Sequence, residues 1–333
     1  MTIRIGINGF GRIGRAIFRA ALSDPAFQDL QVVAINDLST PEILTHLFRF
    51  DSFIGPWKGE CSLHGATLTL NTHACQFLSE PLPAAIPWHR YGVDVVIEAT
   101  GRFANLADAS SHLRGGARRV IISAPAKGEV KTVVMGINED EYDPDRDRVV
   151  SNASCTTNCL AHPARLILDH FGIKRGLLTT IHSYTADQRL LDAPHNDLRR
   201  ARSAATSIIP TTTGAAAAIG LVIPELSGRF DGMSVRVPVA NVSLVDMVVE
   251  VEKSTNTDTL NEILQAAQTR YMGFSNLPLV SSDYREESRS GVVDGLSTRV
   301  IDTTVKILIW YNNEWAYAHR VLDLIHHMHA LEI

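Results

Sequence analysis

A strand-like stretch, Ile3 to Ile7, leads directly into Gly9-Phe10-Gly11-Arg12-Ile13-Gly14, which fits G-x-G-x-x-G. The motif alone is weak, and its surroundings decide its meaning. Here an apolar strand precedes it, an amphipathic helix is expected over Arg15 to Leu22, and Leu30 to Ile35 reads as the next strand. Asp37 closes that strand, about 20 residues on from the motif. The glycines permit a tight turn and let the backbone approach a pyrophosphate, whose charge is favoured at a helix N-terminus. Asp37 is placed to accept hydrogen bonds from the adenosine ribose hydroxyls. Its carboxylate repels a 2′-phosphate, so NAD is expected, with NADP as a weaker alternative. The plain alternative is a Gly-rich turn serving only the close packing of helix on strand.

Two further β-branched runs, Val93 to Gly101 and Arg119 to Ser123, end in small or polar residues. This is the expectation for parallel strands whose C-terminal ends face a ligand, and it places Thr100, Gly101 and Ser123 on one edge. The stretch from Ser52 to Pro87 is less regular and leaves room for hairpin insertions. Beyond Ser151 the pattern changes. A helix is expected from Cys155 to about Phe171, a strand over Leu177 to His182, and a polar irregular segment from Ser183 to Thr206. An Ala-rich helix is expected from Ala215. Met233 to Val237 and Val242 to Val251 alternate like antiparallel strands. A helix over Asn256 to Tyr271, a strand over Val305 to Trp310 and a last helix over Tyr317 to His329 complete the reading.

The segment Ser151-Asn152-Ala153-Ser154-Cys155-Thr156-Thr157-Asn158-Cys159 holds two of only four cysteines in 333 residues. A thiol attacks carbonyls as its thiolate, so it needs a partner that lowers its pKa. Cys155 sits where a loop turns into a helix, and N–H groups there favour a thiolate and can hold an oxyanion. His182, at the end of its strand, supplies an imidazole able to relay protons near neutral pH. Cys159 lies one helical turn inside an apolar run and reads as core. His326, His327 and His329 on the last helix read as a solvated face. Thiol, imidazole and nicotinamide together imply oxidation of an aldehyde through a thioester.

Composition sets the outer limits. The length suggests two domains, and 45% hydrophobic with 20% charged residues describes a globular protein. There is no apolar run of about 18 residues, so no membrane span is expected. The N-terminus has no signal-peptide shape, so a cytoplasmic location is expected. The cysteines form neither a disulfide framework nor a zinc-site spacing. A net charge of -5 argues against nucleic acid as the main partner. The run Arg199-Arg200-Ala201-Arg202 stands apart, and Arg236 lies in an apolar strand where a charge is costly unless it meets an anion.

The chain resembles the phosphorylating glyceraldehyde-3-phosphate dehydrogenase family in order from residue 2 to about 325. The resemblance rests on Asn8 to Arg15, Ser154 to Cys159, His182-Ser183-Tyr184-Thr185, Asp197 to Arg202, Pro210 to Gly214 and Asn313-Glu314-Trp315. It implies an α/β fold, with a Rossmann-type parallel-sheet cofactor domain over 1–153. An α+β catalytic domain with a mostly antiparallel sheet follows over 154–314, and a C-terminal helix over 315–333 returns to the cofactor domain. It implies Cys155 as nucleophile and His182 as base. Thr185 and Arg236 are expected on the substrate's C3 phosphate. Ser154, Thr156, Arg200, Thr213 and Gly214 are expected on inorganic phosphate. Gly9, Phe10, Gly11, Arg12, Ile13, Asp37, Thr100, Ser123 and Asn313 are expected around NAD, with Asn313 orienting the nicotinamide carboxamide. A homotetramer is also implied, acting on glyceraldehyde 3-phosphate and phosphate.

Several positions depart from the family pattern. Ala193-Pro194 replaces a usual Leu-Pro, Ala217 a usual Lys, Asn312 a usual Asp and Ala316 a usual Gly, and His162 interrupts a usual Leu-Ala-Pro. None removes a matched catalytic group. Two rival readings fit the same residues. One is erythrose-4-phosphate dehydrogenase, disfavoured by Tyr184-Thr185. The other is a non-catalytic binding role of the same fold, with RNA as its ligand.

Overall fold

A computed structural model describes residues 2–331. The chain divides into two compact units: Met1–Val133 with Glu139–Ala153 and Ala318–Ile333, and Val134–Asn138 with Ser154–Tyr317.

The first unit is built on a nine-stranded sheet. Its order is Lys131–Thr132, Val149–Ser151, Arg119–Ile122, Val95–Glu98, Ile3–Asn8, Leu30–Asn36, His73–Leu78, Thr67–Leu70 and Cys61–His64. The seven strands from Lys131–Thr132 to His73–Leu78 pair in parallel. The last two add as antiparallel hairpins, which accounts for the irregular stretch after Ser52. Ile3, Ile5 and Ile7 are buried, as a central parallel strand requires. The helix after the Gly turn runs Arg12–Ser23, starting three residues earlier than expected. Gly14 therefore lies inside the helix rather than in the turn. Its lack of a side chain is still needed, because a Cβ there would collide with the Gly9 carbonyl oxygen.

The second unit carries a seven-stranded sheet ordered Ile209–Thr212, Phe230–Val237, Arg175–Ser183, Ser243–Glu250, Thr304–Tyr311, Gly291–Ile301 and Met272–Ser275. Most pairings are antiparallel, but Phe230–Val237 runs parallel to Arg175–Ser183, so the expected antiparallel strand is mixed in its pairing. The cysteine helix spans Cys155–Phe171. The helix Thr257–Ala266 stops short of Tyr271 because Thr269 turns the chain, its hydroxyl accepting from the Tyr271 and Met272 N–H groups at 3.1 Å each. The last helix spans Trp315–Ala330 and buries Val321, Leu322, Leu324, Ile325 and Met328. Two of the histidines expected on a solvated face make contacts: His326 meets Asp29 at 2.8 Å and His327 meets the Glu139 carbonyl at 2.9 Å.

Candidate active site

The Gly turn opens into a pocket of about 280 Å³ lined by Gly9, Gly11, Asp37, Thr100, Asn8 and Asn36, among others. Gly9 has φ 94°, and a Cβ on it would lie 2.8 Å from the Thr100 nitrogen. Only glycine allows the turn to sit this close to the Val95–Glu98 strand end. Gly11 is the N-cap of the helix and no side chain caps it, so the first-turn N–H groups remain to meet an anion. Asp37 accepts from Phe10 N at 2.8 Å and Ser39 N at 2.9 Å. These bonds tie the carboxylate to the Gly turn while leaving lone pairs for a ligand. The donor set fits a dinucleotide.

Not every expected cofactor residue faces this pocket. The Phe10 side chain is fully buried and stacks on Phe48 at 6.1 Å between ring centroids, so only its backbone serves the turn. The Arg12 guanidinium pairs with Asp51 at 2.8 Å. Ile13 and Ser123 do not line the pocket, and Ser123 Oγ donates to the Glu98 carbonyl at 3.1 Å.

In the second unit, Ser154 caps the cysteine helix by accepting from Thr157 N at 3.0 Å, so Cys155 is the first helical residue. Cys155 Sγ lies 3.8 Å from His182 Nε2. His182 Nδ1 lies 2.7 Å from the Ser183 carbonyl; with the ring hydrogen on Nδ1, Nε2 keeps its lone pair toward the sulfur. Parallel pairing sets His182 level with Arg236, whose Nη1 lies 3.0 Å from Nδ1 and also donates to the Ser183 carbonyl at 3.2 Å. Burial and the two cations Arg236 and Arg200 pull His182 down to about 3. Burial also pushes the Cys155 thiol up, outweighing Arg236 and the helix N–H groups. The unliganded pair is therefore neutral thiol beside neutral imidazole, a correction to the low thiol pKa expected from the helix start alone.

The expected anion ligands gather around this pair to different degrees. Arg236 is half-buried, and its Nε has no hydrogen-bond partner. Arg200 is held by Asp187 at 2.6 Å and by Thr211 Oγ1 at 2.9 Å. Burial opposes the Asp187 carboxylate, yet the Arg200 guanidinium overrides it and holds Asp187 below the usual carboxylate range. Thr185 is half-buried just beyond the histidine strand, and exposed Gly214 caps the Ala215–Val222 helix. Thr213 Oγ1 accepts from Ala215 N at 3.2 Å. The Ser154 hydroxyl is engaged in its cap, and Thr156 Oγ1 bonds Tyr311 Oη at 2.9 Å. Asn313 Oδ1 accepts from Ser183 Oγ at 2.9 Å and Ser243 Oγ at 3.3 Å, which leaves its amide hydrogens to donate.

Tyr311 was missed by sequence reasoning. Besides holding Thr156, it packs edge-on to His182 with ring centroids 6.0 Å apart. Its only signal was its place at the end of a strand two residues before Asn313. Asn312, where the resemblance implies an Asp, uses both ends of its amide. Its Oδ1 accepts from Glu314 N at 3.0 Å and Trp315 N at 2.8 Å, while its Nδ2 donates to Asn241 Oδ1 at 3.1 Å and the Arg285 carbonyl at 2.6 Å. An Asp could accept but not donate.

A parallel sheet with a Gly-turn pocket in one unit, and a cysteine–histidine pair in the other, define a nicotinamide-dependent dehydrogenase. Comparison with known proteins narrows this class. Residues 3–106 match the family model for the glyceraldehyde 3-phosphate dehydrogenase NAD binding domain, and residues 154–313 match that for its C-terminal domain. The chain is 52% identical over 329 residues to glyceraldehyde-3-phosphate dehydrogenase of Geobacillus stearothermophilus, covering 97% of each chain. It is 51% identical to glyceraldehyde-3-phosphate dehydrogenase 1 of Bacillus cereus, covering 98% of each. It is 50% identical to glyceraldehyde-3-phosphate dehydrogenase 2 of Streptomyces avermitilis, covering 97% of this chain and 98% of that one. The chain belongs to the glyceraldehyde 3-phosphate dehydrogenase family.

Proposed function

We propose that the protein catalyses NAD-dependent oxidative phosphorylation of D-glyceraldehyde 3-phosphate to 1,3-bisphosphoglycerate. The observation that carries this reading is Cys155 Sγ set 3.8 Å from His182 Nε2. Cys155 adds to the aldehyde carbon as His182 Nε2 takes up the thiol proton. The resulting oxyanion lies by the helix N-terminus, where backbone N–H groups can receive it. His182 returns that proton to the oxyanion to give the thiohemiacetal hydroxyl, and takes it back as hydride leaves the carbon. NAD, when bound, supplies the hydride acceptor. Inorganic phosphate attacks the thioacyl carbon and Cys155 leaves as thiolate. Splitting the reaction keeps the energy of aldehyde oxidation in a thioester.

Arg236 and Thr185 hold the C3 phosphate in this reading, and the unpartnered Arg236 Nε supports it. Arg200, Ser154, Thr156, Thr213 and Gly214 hold the attacking phosphate. Asn313 turns its free amide hydrogens to the nicotinamide carboxamide. The working form is a homotetramer in the cytoplasm. Among the described residues, no helix is long and apolar enough to cross a membrane.

The test follows absorbance at the reduced-nicotinamide band with the aldehyde and NAD, with and without phosphate. Phosphate-dependent reduction of NAD is expected, and Cys155→Ala should lower kcat/KM by at least about 10⁴-fold while still binding NAD. Faster phosphate-independent oxidation of erythrose 4-phosphate would replace this substrate. Silence with every aldehyde, in protein that binds NAD, would leave a binding role.

A further inference from the structure

Behind the nucleotide pocket lies a closed polar network that none of the steps above uses. Glu98 ends the strand Val95–Glu98 and is only 2% exposed, and His112 beside it is fully buried. The two meet at 3.0 Å, His112 Nε2 to Glu98 Oε2. On its other side, His112 Nδ1 accepts from Trp88 Nε1 at 3.0 Å. An indole nitrogen can only donate, so it fixes the tautomer: Nε2 carries the hydrogen and gives it to Glu98. Asn8 Nδ2 donates to the same Oε2 at 2.6 Å. The other oxygen, Oε1, accepts from Thr100 N at 2.8 Å and from Thr100 Oγ1. Asn8 in turn accepts from Asn36 Nδ2 at 2.8 Å, and Asn36 accepts from Glu80 N at 2.7 Å.

One carboxylate therefore gathers four donors, and through them it ties three strand ends together. Asn8, Asn36, Glu80 and Thr100 all line the nucleotide pocket, whereas Glu98, His112 and Trp88 do not. The Gly turn rests on this anchor, since a Cβ at Gly9 would meet the Ala99 and Thr100 backbone within 3 Å. We infer that Glu98, with His112 and Trp88 behind it, positions the pocket for the dinucleotide by holding the Thr100 turn and Asn8 in place. Glu98 and His112 are positioning residues here, acting through Thr100 and Asn8 rather than touching the ligand. The inference rests on the dinucleotide reading of the pocket. A buried carboxylate with its full set of donors is rigid, but removing one donor leaves a buried lone pair unsatisfied and the turn less firmly held.

Three variants of the full chain test this: His112→Leu, His112→Gln and Glu98→Gln. His112→Leu removes both hydrogen bonds. His112→Gln keeps an acceptor for Trp88 and a donor for Glu98. Glu98→Gln keeps the volume but turns an acceptor into a donor facing Asn8 or Thr100. The readouts are the NAD dissociation constant by titration, KM for NAD against KM for the aldehyde, and the alkylation rate of Cys155. His112→Leu and Glu98→Gln are expected to weaken NAD roughly ten-fold or more. The aldehyde KM and the alkylation rate should stay unchanged, and His112→Gln should recover most of the affinity. If His112→Leu does not fold, Glu98→Gln against His112→Gln carries the same comparison. Wild-type NAD affinity in a folded Glu98→Gln protein overturns the inference. So does an equal loss in aldehyde KM and alkylation rate, which a general loosening of the fold would give. An unaltered chain that does not bind NAD would overturn the dinucleotide reading instead.

Discussion

His182 is held between a sulfur on one side and an arginine on the other, and burial first, then the arginine, sets its proton affinity. Burial disfavours the imidazolium, and Arg236, 3.0 Å from Nδ1, disfavours it further, so the ring titrates at about 3. A neutral ring is what a base needs when it first takes the thiol proton. Because the folded value lies below the ordinary one of 6.5, the neutral ring adds stability above that pH, lost progressively as pH falls toward 3. An anion on Arg236 cancels part of the cation's field and raises the affinity of the ring for a proton. The expected outcome is a His182 ring that stays neutral from about pH 5 to 8 in phosphate-free buffer. Inorganic phosphate, held by Arg200 in the proposed reading, offsets the second cation that depresses the ring and should move its midpoint upward. NMR titration, with His182→Gln to assign the ring, checks this. A midpoint near 6.5 without phosphate would show that neither burial nor Arg236 depresses the ring.

At the scale of the element, the nucleophile depends on where one helix begins. Ser154 fixes the start of Cys155–Phe171 through its bond to Thr157 N at 3.0 Å. Losing such a cap costs about 1 kcal/mol. Ser154→Ala should lower Tm by about 2–4 °C. It should also lower kcat more than the KM for NAD, because fraying starts at the reactive residue. Calorimetry and steady-state kinetics on one preparation would show it, and an unchanged kcat would separate the cap from catalysis. This helix was legible from sequence because a hydroxyl cap, an apolar run and Gly172 mark both ends. The strand Gly291–Ile301 was not. It holds Gly291, Asp294, Gly295 and Ser297, and its pairing with Thr304–Tyr311 shifts register between Asp294 and Arg299. A neighbouring strand makes it a strand, not its own residues. Likewise Cys155 and His182 stood out by residue type and setting. Tyr311 and the Glu98–His112 pair acquire their roles only when separate strands and helices place their side chains together.

At the scale of the whole molecule, the segment between Ser183 and Thr206 leaves apolar surface uncovered. It folds back on itself, with Ala193 N bonded to the Ala201 carbonyl at 3.0 Å and Ala204 N to the Arg189 carbonyl at 2.9 Å. Yet Leu190, Leu191 and Leu198 are 72%, 73% and 82% exposed, and Ile208 just beyond is 70% exposed. Large aliphatic side chains held outward by an ordered loop are what the proposed homotetramer would cover. Its neighbours Arg200 and Asp187 belong to the proposed phosphate site, so covering this loop would steady that site as well. The homotetramer proposed above supplies the cover as further copies of the chain. Sedimentation of the unaltered protein should give a single species of four chains, and Leu198→Asp should shift it toward smaller species. Activity per chain should then fall with dilution in the variant but not in the parent. A parent that sediments as a monomer at full activity would mean that the loop is complete within one chain.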